Sequence, residues 1–328
     1  MTANKQPGFQ NLLPDQIIDC IESVGLACNG DLLALNSYEN RVYRAGIDGG
    51  EPVVAKFYRP QRWDEAAILE EHAFALELAA LEIPVVAPLA FNKQTLLQEG
   101  EFRFSLYPFR PGRWPELDRD DTLRQLGRLT ARMHLAGDQT RFTSRPEIDP
   151  ISFGYDSRDY LLDEEMIPEE LEDAYASLAD DLLERIDHWF DLTDHAARIR
   201  IHADLHPGNI LQDGETLHIV DTDDARNGPA VQDLWMFLSG DQEEQSLQLQ
   251  PLLEGYRTFR HFDISELALI EPLRTLRLMH YAAWLARRWQ DPAFKAAFPW
   301  FDSVRYWNEH ILALREQLAL LNEPPITD

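Results

Sequence analysis

Cysteine is almost missing from this chain: Cys20 and Cys28 are the only two in 328 residues. Two thiols do not make a disulfide framework for a protein of this size, and no C-x-x-C pair offers a metal site. A reduced, cytoplasmic setting is the expectation. The opening stretch "MTANKQPGFQNLLPD" lacks the basic-then-apolar pattern of a secretory leader. No apolar run approaches the roughly 20 residues that a spanning helix needs, so no membrane partner is expected. Basic residues are also few, 30 Lys and Arg against 57 Asp and Glu, for a formal net charge of −27. Such a surplus repels nucleic-acid backbones and anionic membranes as bulk partners. It leaves a nucleotide possible in principle, because a nucleotide needs only local cations and a metal ion. The acidic surplus itself reads as solubility rather than substrate attraction. Neither G-x-G-x-x-G nor G-x-x-x-x-G-K-[ST] occurs. There is no internal repeat and no low-complexity segment.

What is present is an ordinary globular composition, 45% hydrophobic and 27% charged, and one informative segment. Residues 199–225 read "IRIHADLHPGNILQDGETLHIVDTDDA". Asp204 is followed five residues later by Asn209 and twelve residues after that by Asp221. Pro207 and Gly208 mark a tight loop. Ile219 and Val220 form a β-branched run whose end would deliver Asp221 into a cleft. Strand, loop and strand are expected to bring Asp204, Asn209 and Asp221 to one point. The residue types suit phosphoryl transfer from ATP. Mg²⁺ takes hard oxygen ligands, which Asn209 and Asp221 provide. Asp204 is then the acceptor of the attacking hydroxyl's proton. His202 stands where the kinase pattern H-R-D-x-x-x-x-N has its His, and is expected to brace the loop. A zinc site on His202, Asp204 and His206 is the weaker reading, since Asn209 is a poor zinc ligand. Asp223 and Asp224 either add a metal contact or hold the loop through Arg226, and the second is expected.

The first hundred residues read as helix, strands, helix and strands. "PDQIIDCIESVG" has Pro14 at a helix start and Gly25 past its end. "LLALNSYENRVYRAGIDGGEPVVAKFYRP" gives three strand-like runs, and "PVVAPLAFN" and "FRFSLYPF" return to strand character. "DEAAILEEHAFALELAALEIP" is helical, with Asp64 as N-cap. From about Leu117 onward helical patterns dominate. The break falls near "YPFRPGRWP", giving domains 1–108 and 109–328. Lys56, in "VVAKFY", is a lone cation in a buried-looking strand and requires an acid. Glu71 shares the face of Ala67, Phe74, Ala75 and Leu78 on the following helix and is the expected partner. Glu70 points about 100° away, toward Glu77. Ser37, in "NSYENRVY", suits either a phosphate-covering loop or an ordinary hairpin turn. Trp284, Trp289, Tyr281 and Trp307 suit either the core, which is expected, or a choline-type aromatic cage.

"HADLHPGN" followed by "IVDTDDA" resembles the catalytic loop and metal-binding strand of the aminoglycoside phosphotransferase and choline kinase branch of the protein-kinase-like fold. That branch reads H-G-D-x-x-x-x-N, and this chain has Ala203 where Gly is usual. The likeness extends through "LNSYENRVYRA", "VVAKFYRP", "ILEEHAFAL" and "DDARNGPAVQDLW" over nearly the whole chain. Together these segments resemble the bacterial stress response kinase A family of cytoplasmic Ser/Thr protein kinases. The resemblance implies an α+β, protein-kinase-like bilobal fold with a small antiparallel-sheet N-lobe that binds nucleotide and a mainly helical C-lobe. It implies Ser37 as an ATP-loop residue, Lys56 on the α- and β-phosphates with Glu71 holding it, and Asp233 as an anchor for the catalytic-loop backbone. It implies ATP and Mg²⁺ and a protein Ser/Thr acceptor, and a monomer is the expectation. A small-molecule kinase is the alternative. A metal-dependent hydrolase leaves Lys56 and Glu71 unexplained, and a pseudokinase leaves Asp204 without a task.

Overall fold

The computed structural model of the protein describes Phe9 and residues 11–327. In chain order its early elements are α1 (Pro14–Glu22), β1 (Cys28–Leu35), β2 (Arg41–Ile47), β3 (Val53–Phe57), α2 (Glu65–Ala80), β4 (Leu97–Glu99) and β5 (Phe102–Pro108). Then come α3 (Asp120–Gly137), α4 (Asp156–Asp163), α5 (Glu169–Leu192), β6 (Ile199–Ile201), β7 (Ile210–Asp213), β8 (Thr216–Ile219) and β9 (Arg226–Gly228). The chain finishes with α6 (Gln232–Trp235), α7 (Gln242–Tyr256), α8 (Ile270–Arg287), α9 (Pro292–Ala297) and α10 (Val304–Leu320). Two compact units result. The first takes residues 1–116, 142–145 and 206–225, and the second takes 117–141, 146–205 and 226–328. The two contiguous segments expected from the sequence, 1–108 and 109–328, therefore differ from the observed division. Pieces of later sequence fold back into the first unit, which a reading of linkers does not reveal.

The first unit is built on a five-stranded antiparallel sheet in the order β1-β2-β3-β5-β4. Alternation along β3 sends Val53, Ala55 and Phe57 into an apolar core with Ile17, Cys20 and Ile21 of α1. Phe57 stacks on Phe104 of β5 at 5.4 Å. Fully burying one such side chain contributes about 1.5–3 kcal/mol. The same alternation turns Lys56, paired in register with Ser105, to the opposite face, where it is nevertheless buried. Helix α2 starts where expected, because the Asp64 carboxylate accepts from Ala67 N at 2.8 Å, a cap that contributes about 1 kcal/mol. The segment "PVVAPLAFN" is not a strand. It forms only isolated bridges, one from Val85 to Ile219 and one from Phe91 to Gln94, because Pro84 and Pro88 lack the N–H groups that a ladder requires. The short strand β4 went unpredicted. The hairpin of β7 and β8 belongs to this unit.

The second unit is mainly helical, with β6 and β9 as a two-stranded antiparallel ribbon. Helices α3 and α7 pack closely through Gly127 and Gly255. A Cβ at either position would run into main-chain carbonyl oxygens, of Leu252 and Arg124 respectively. Of the four aromatics weighed above, Trp307 and Trp289 are buried in the core, whereas Tyr281 is 41% exposed. Among the described residues no helix is long and apolar enough to cross a membrane.

Candidate active site

In the first unit the site grows from the ends of β3 and β8. Strand β8 stops at Ile219 and Asp221 adopts a left-handed backbone, φ 58°. Aspartate tolerates that region better than most residues. A 3₁₀ turn, Thr222–Asp224, follows. The turn presents three carboxylates in four residues. Lys56 Nζ meets Asp221 Oδ1 at 2.7 Å and Asp223 Oδ1 at 3.2 Å. Burial alone would lower the Lys56 pKa, but Asp221 and then Asp223 outweigh it, so the ammonium is held well above its ordinary value. Asp221 keeps 54% of its side chain exposed, while Asp223 is buried. Burial would also raise the Asp223 pKa, and Arg62 and Lys56 hold it below the ordinary value.

Glu71 lies on the predicted face of α2, buried with Ala67, Phe74, Ala75 and Leu78. It does not form the expected ion pair with Lys56. Its Oε1 accepts from the Thr222 hydroxyl in a short hydrogen bond. Lys56 acts on it only as a nearby charge, and desolvation wins, raising the Glu71 pKa. The reason is reach: the 221–224 turn delivers two carboxylates directly to the ammonium, and Thr222 stands as Glu71's own partner. The 3.6 Å approach of His72 to Glu71 is no ion pair either. Burial, with Lys56 adding repulsion, pushes the His72 pKa down to about 3. The imidazole is neutral and bonds to Tyr58 Oη at 2.7 Å and Thr95 Oγ1 at 2.9 Å.

Several residues that sequence reasoning missed complete this cluster. Arg62 spans Asp223 at 2.5 Å and Asp224 at 2.7 Å, a hold on these acids that the sequence did not suggest, and the Arg226 guanidinium lies over the Phe153 ring. Asn40, in the β1–β2 loop, donates to Asp223 Oδ2 at 3.2 Å and accepts from Arg59 N at 3.1 Å. Arg145 is buried and donates to the carbonyls of Ala67, Asp223 and Ala225, tying α2 to the carboxylate turn. Glu70 does not point idly away. It accepts from Thr143, Ser144 and Arg145 main-chain N–H groups, and these bonds overcome its desolvation to lower its pKa. The only signals available in sequence were a lone Asn in a loop and an Arg near α2. Ser37 sits half-buried in the β1–β2 loop.

Asn209 ends a 3₁₀ turn, Pro207–Asn209. Its carbonyl accepts from Val220 N at 3.0 Å, which places it alongside the chain that leads into Asp221. The half-exposed Asp221 carboxylate and the Asn209 amide offer the hard oxygen donors that a small divalent cation takes. His206 Nδ1 accepts from Gly208 N at 2.9 Å, which uses this ring as a loop brace.

In the second unit the organising group is Asp233 of α6, fully buried. Its Oδ2 accepts from His202 N at 2.7 Å and its Oδ1 from Ala203 N at 2.8 Å. His134 Nε2 donates to Oδ2 at 3.0 Å. Burial outweighs the attraction of Asp233 and lowers the His134 pKa, so Nδ1 of the neutral ring accepts from the Tyr256 hydroxyl at 2.9 Å. One carboxylate thus holds the two residues that precede Asp204. Ala203 has φ 69°, the left-handed region in which a Cβ is disfavoured. The buried His202 accepts at Nδ1 from Asp204 N at 3.3 Å, in keeping with a bracing role. Arg277 Nη1 bonds to Asp204 Oδ1 at 2.6 Å. A cavity of about 440 Å³ in this unit, walled in part by Trp189, Glu271, Arg274 and Ile326, includes none of the predicted site residues.

Residues 31–270 match the model of the phosphotransferase enzyme family. The stress response kinase A of Escherichia coli (strain K12) is 45% identical over 97% of this chain and 96% of its own. This chain belongs to the stress response kinase A family. A Salmonella typhimurium relative, serine/threonine protein kinase RdoA, is 44% identical over 97% of this chain and 96% of its own. The structure of amicoumacin kinase hAmiN, in complex with AMP-PNP, Ca²⁺ and Ami, aligns with a TM-score of 0.71 at 21% identity, over 96% of this chain and 95% of that one. At that identity the likeness carries the fold, an α+β protein-kinase-like fold. Family membership makes the chain a phosphotransferase. Of the predicted residues, Ser37, Lys56, Glu71, Asn209 and Asp221 lie in the first unit and Asp204 in the second.

Proposed function

We propose that this phosphotransferase moves the γ-phosphoryl group of ATP, with Mg²⁺, to a Ser or Thr hydroxyl of a protein, in a bacterial stress response in the cytoplasm. The observation that carries the reading is the buried Lys56 ammonium set between Asp221 and Asp223. A cation on phosphate oxygens beside a carboxylate that can face a metal is what γ-phosphoryl transfer requires. In this reading residues of the first unit bind the nucleotide. Lys56 binds phosphate oxygens, Ser37 and its loop cover them, and the 221–224 turn is stiffened by Arg62, Arg145 and Glu71. Asn209 and Asp221 would hold Mg²⁺, which when bound neutralises charge on the phosphates. Asp204 takes the proton of the attacking hydroxyl, and Asp233 fixes the backbone that carries it. The protein acceptor is supported by the relative named as a serine/threonine protein kinase and by likeness along 97% of the chain.

Purified protein given Mg²⁺ and γ-labelled ATP should label protein mixtures, with acid-stable and base-labile phosphate. Asp204→Asn should keep ATP binding in a calorimetric titration and lose transfer by ~10²–10⁴-fold. Full labelling by the Asn variant removes Asp204 from the base's role. Label found only on small alcohols overturns the protein acceptor.

A further inference from the structure

The acceptor side of the site has a charge. Arg277 lies 2.6 Å from Asp204, with 45% of its side chain exposed against 24% for Asp204. An acceptor hydroxyl that reaches Asp204 therefore arrives beside a partly open guanidinium. A guanidinium has five N–H donors in a planar fork, and the bond to Asp204 is made from Nη1 alone.

Helix geometry extends this feature into a strip. At 100° per residue, Arg277, Tyr281, Trp284 and Arg288 fall on one side of α8 and its C-terminal cap, over about 16 Å. Tyr281 and Trp284 stack nearly flat, 5.6 Å between centroids and 19° between planes. Arg288 lies over the Trp284 ring at 5.2 Å and donates to the Trp284 carbonyl at 3.1 Å. Phe294 and Phe298 meet Trp284 edge-on. A cage for an organic ammonium needs aromatic faces turned around an open space. Here the two rings face each other, one already carries a guanidinium, and the strip has Arg at both ends.

We propose that this face of α8 selects acceptors whose hydroxyl is flanked by an anionic group; on the reading above, that is a Ser- or Thr-bearing segment of an acidic polypeptide. A carboxylate beside the hydroxyl receives charge-assisted hydrogen bonds from Arg277. The aromatic pair offers a flat contact for the residues that follow. An acceptor with an ammonium beside its hydroxyl meets like charge instead. The net charge of −27 does not reverse this preference at physiological salt, because screening within about 8 Å leaves the contacting group to decide.

The test is a matched set of acceptors. Peptides identical except for Asp or Lys on either side of one Ser are compared in kcat/KM. Hydroxy acids are compared with amino alcohols in parallel. Wild type should prefer the acidic peptide by roughly fivefold or more, chiefly through KM, and the margin should shrink with salt. Arg277→Gln should abolish the margin, Arg277→Glu should reverse it, and Arg277→Lys should restore part of it, all with ATP affinity unchanged in calorimetry. Tyr281→Ala should raise KM for peptides and spare small alcohols. A margin that survives Arg277→Gln overturns the proposal, as does a wild-type preference for Lys-flanked Ser or for amino alcohols. Transfer only to hydroxy acids, lost with Arg277→Gln, upholds the charge preference while overturning the protein acceptor.

Discussion

The two units hold their candidate catalytic groups by different means. In the first, Lys56, Arg62, Asp221, Asp223 and Asp224 form an ion-pair network in which each cation has at least two acidic partners. In the second, the single buried carboxylate of Asp233 receives two main-chain N–H groups and one imidazole. The first arrangement holds side chains by charge, and each cation keeps one acid if the other is lost. The second holds backbone by geometry and has no substitute. Groups that meet a changing charge suit a network that can redistribute. A base that must sit within hydrogen-bond reach of one proton suits a fixed backbone.

Truncating one carboxylate in each unit breaks or sharpens this contrast most. Asp233→Ala strands three buried donors, each costing about 1–3 kcal/mol when unsatisfied, and should lower unfolding free energy by on the order of 4 kcal/mol in urea titrations. Asp221→Ala, at a half-exposed position whose Lys56 partner retains Asp223, should cost below about 1 kcal/mol in stability. Transfer activity should still be lost. Equal stability losses would erase the distinction.

Glu266 tests how the second unit responds to pH. It is buried, and its carboxylate accepts from Val231 N at 2.9 Å. Burial pushes its pKa up from 4.5 to about 7. The folded state therefore binds this proton more tightly than the unfolded one. The contribution is fully present below pH 4.5 and is lost as pH rises through about 7, on the order of 3 kcal/mol in all. Glu266→Gln should flatten the fall in stability between about pH 4.5 and 7. An unaltered slope would show that another group carries it.

A smaller effect separates partners within the first unit. Double-mutant cycles on activity or stability should give Lys56 and Asp223 a coupling of about 1–2 kcal/mol, and Lys56 with Glu71 clearly less. The reverse order would restore the pairing expected from sequence. Ala203→Gly should have the smallest effect. Relief of a left-handed alanine is worth roughly 1–2 kcal/mol, and the added chain entropy of glycine offsets about 0.5–1. A net gain of at most about 1 kcal/mol in unfolding free energy is expected. A loss would mean that the Ala203 methyl, itself buried, packs for more than its backbone strain.

Local patterns written in the sequence determined a good deal. The apolar run ahead of Lys56 in "VVAKFY" and the helical spacing around Glu71 placed Lys56 in a strand and Glu71 on the buried face of α2. The Asp204-x₄-Asn209 spacing, with the strand ahead of Asp221, pointed to phosphoryl transfer, and membership of a phosphotransferase family agrees with that reaction class. Period and turn residues are short-range, so the chain states them directly. Tertiary structure alone decided which charges meet. Asp223 rather than Glu71 closes on Lys56, 167 positions away, and Arg62 takes Asp224 from 162 positions before it. Arg145 ties α2 to a turn some 80 residues further on. Only the fold set Arg277 against Asp204, 73 residues away. Ion pairs between long side chains depend on where backbones finish in space, to within an ångström or two, and no local periodicity carries that distance.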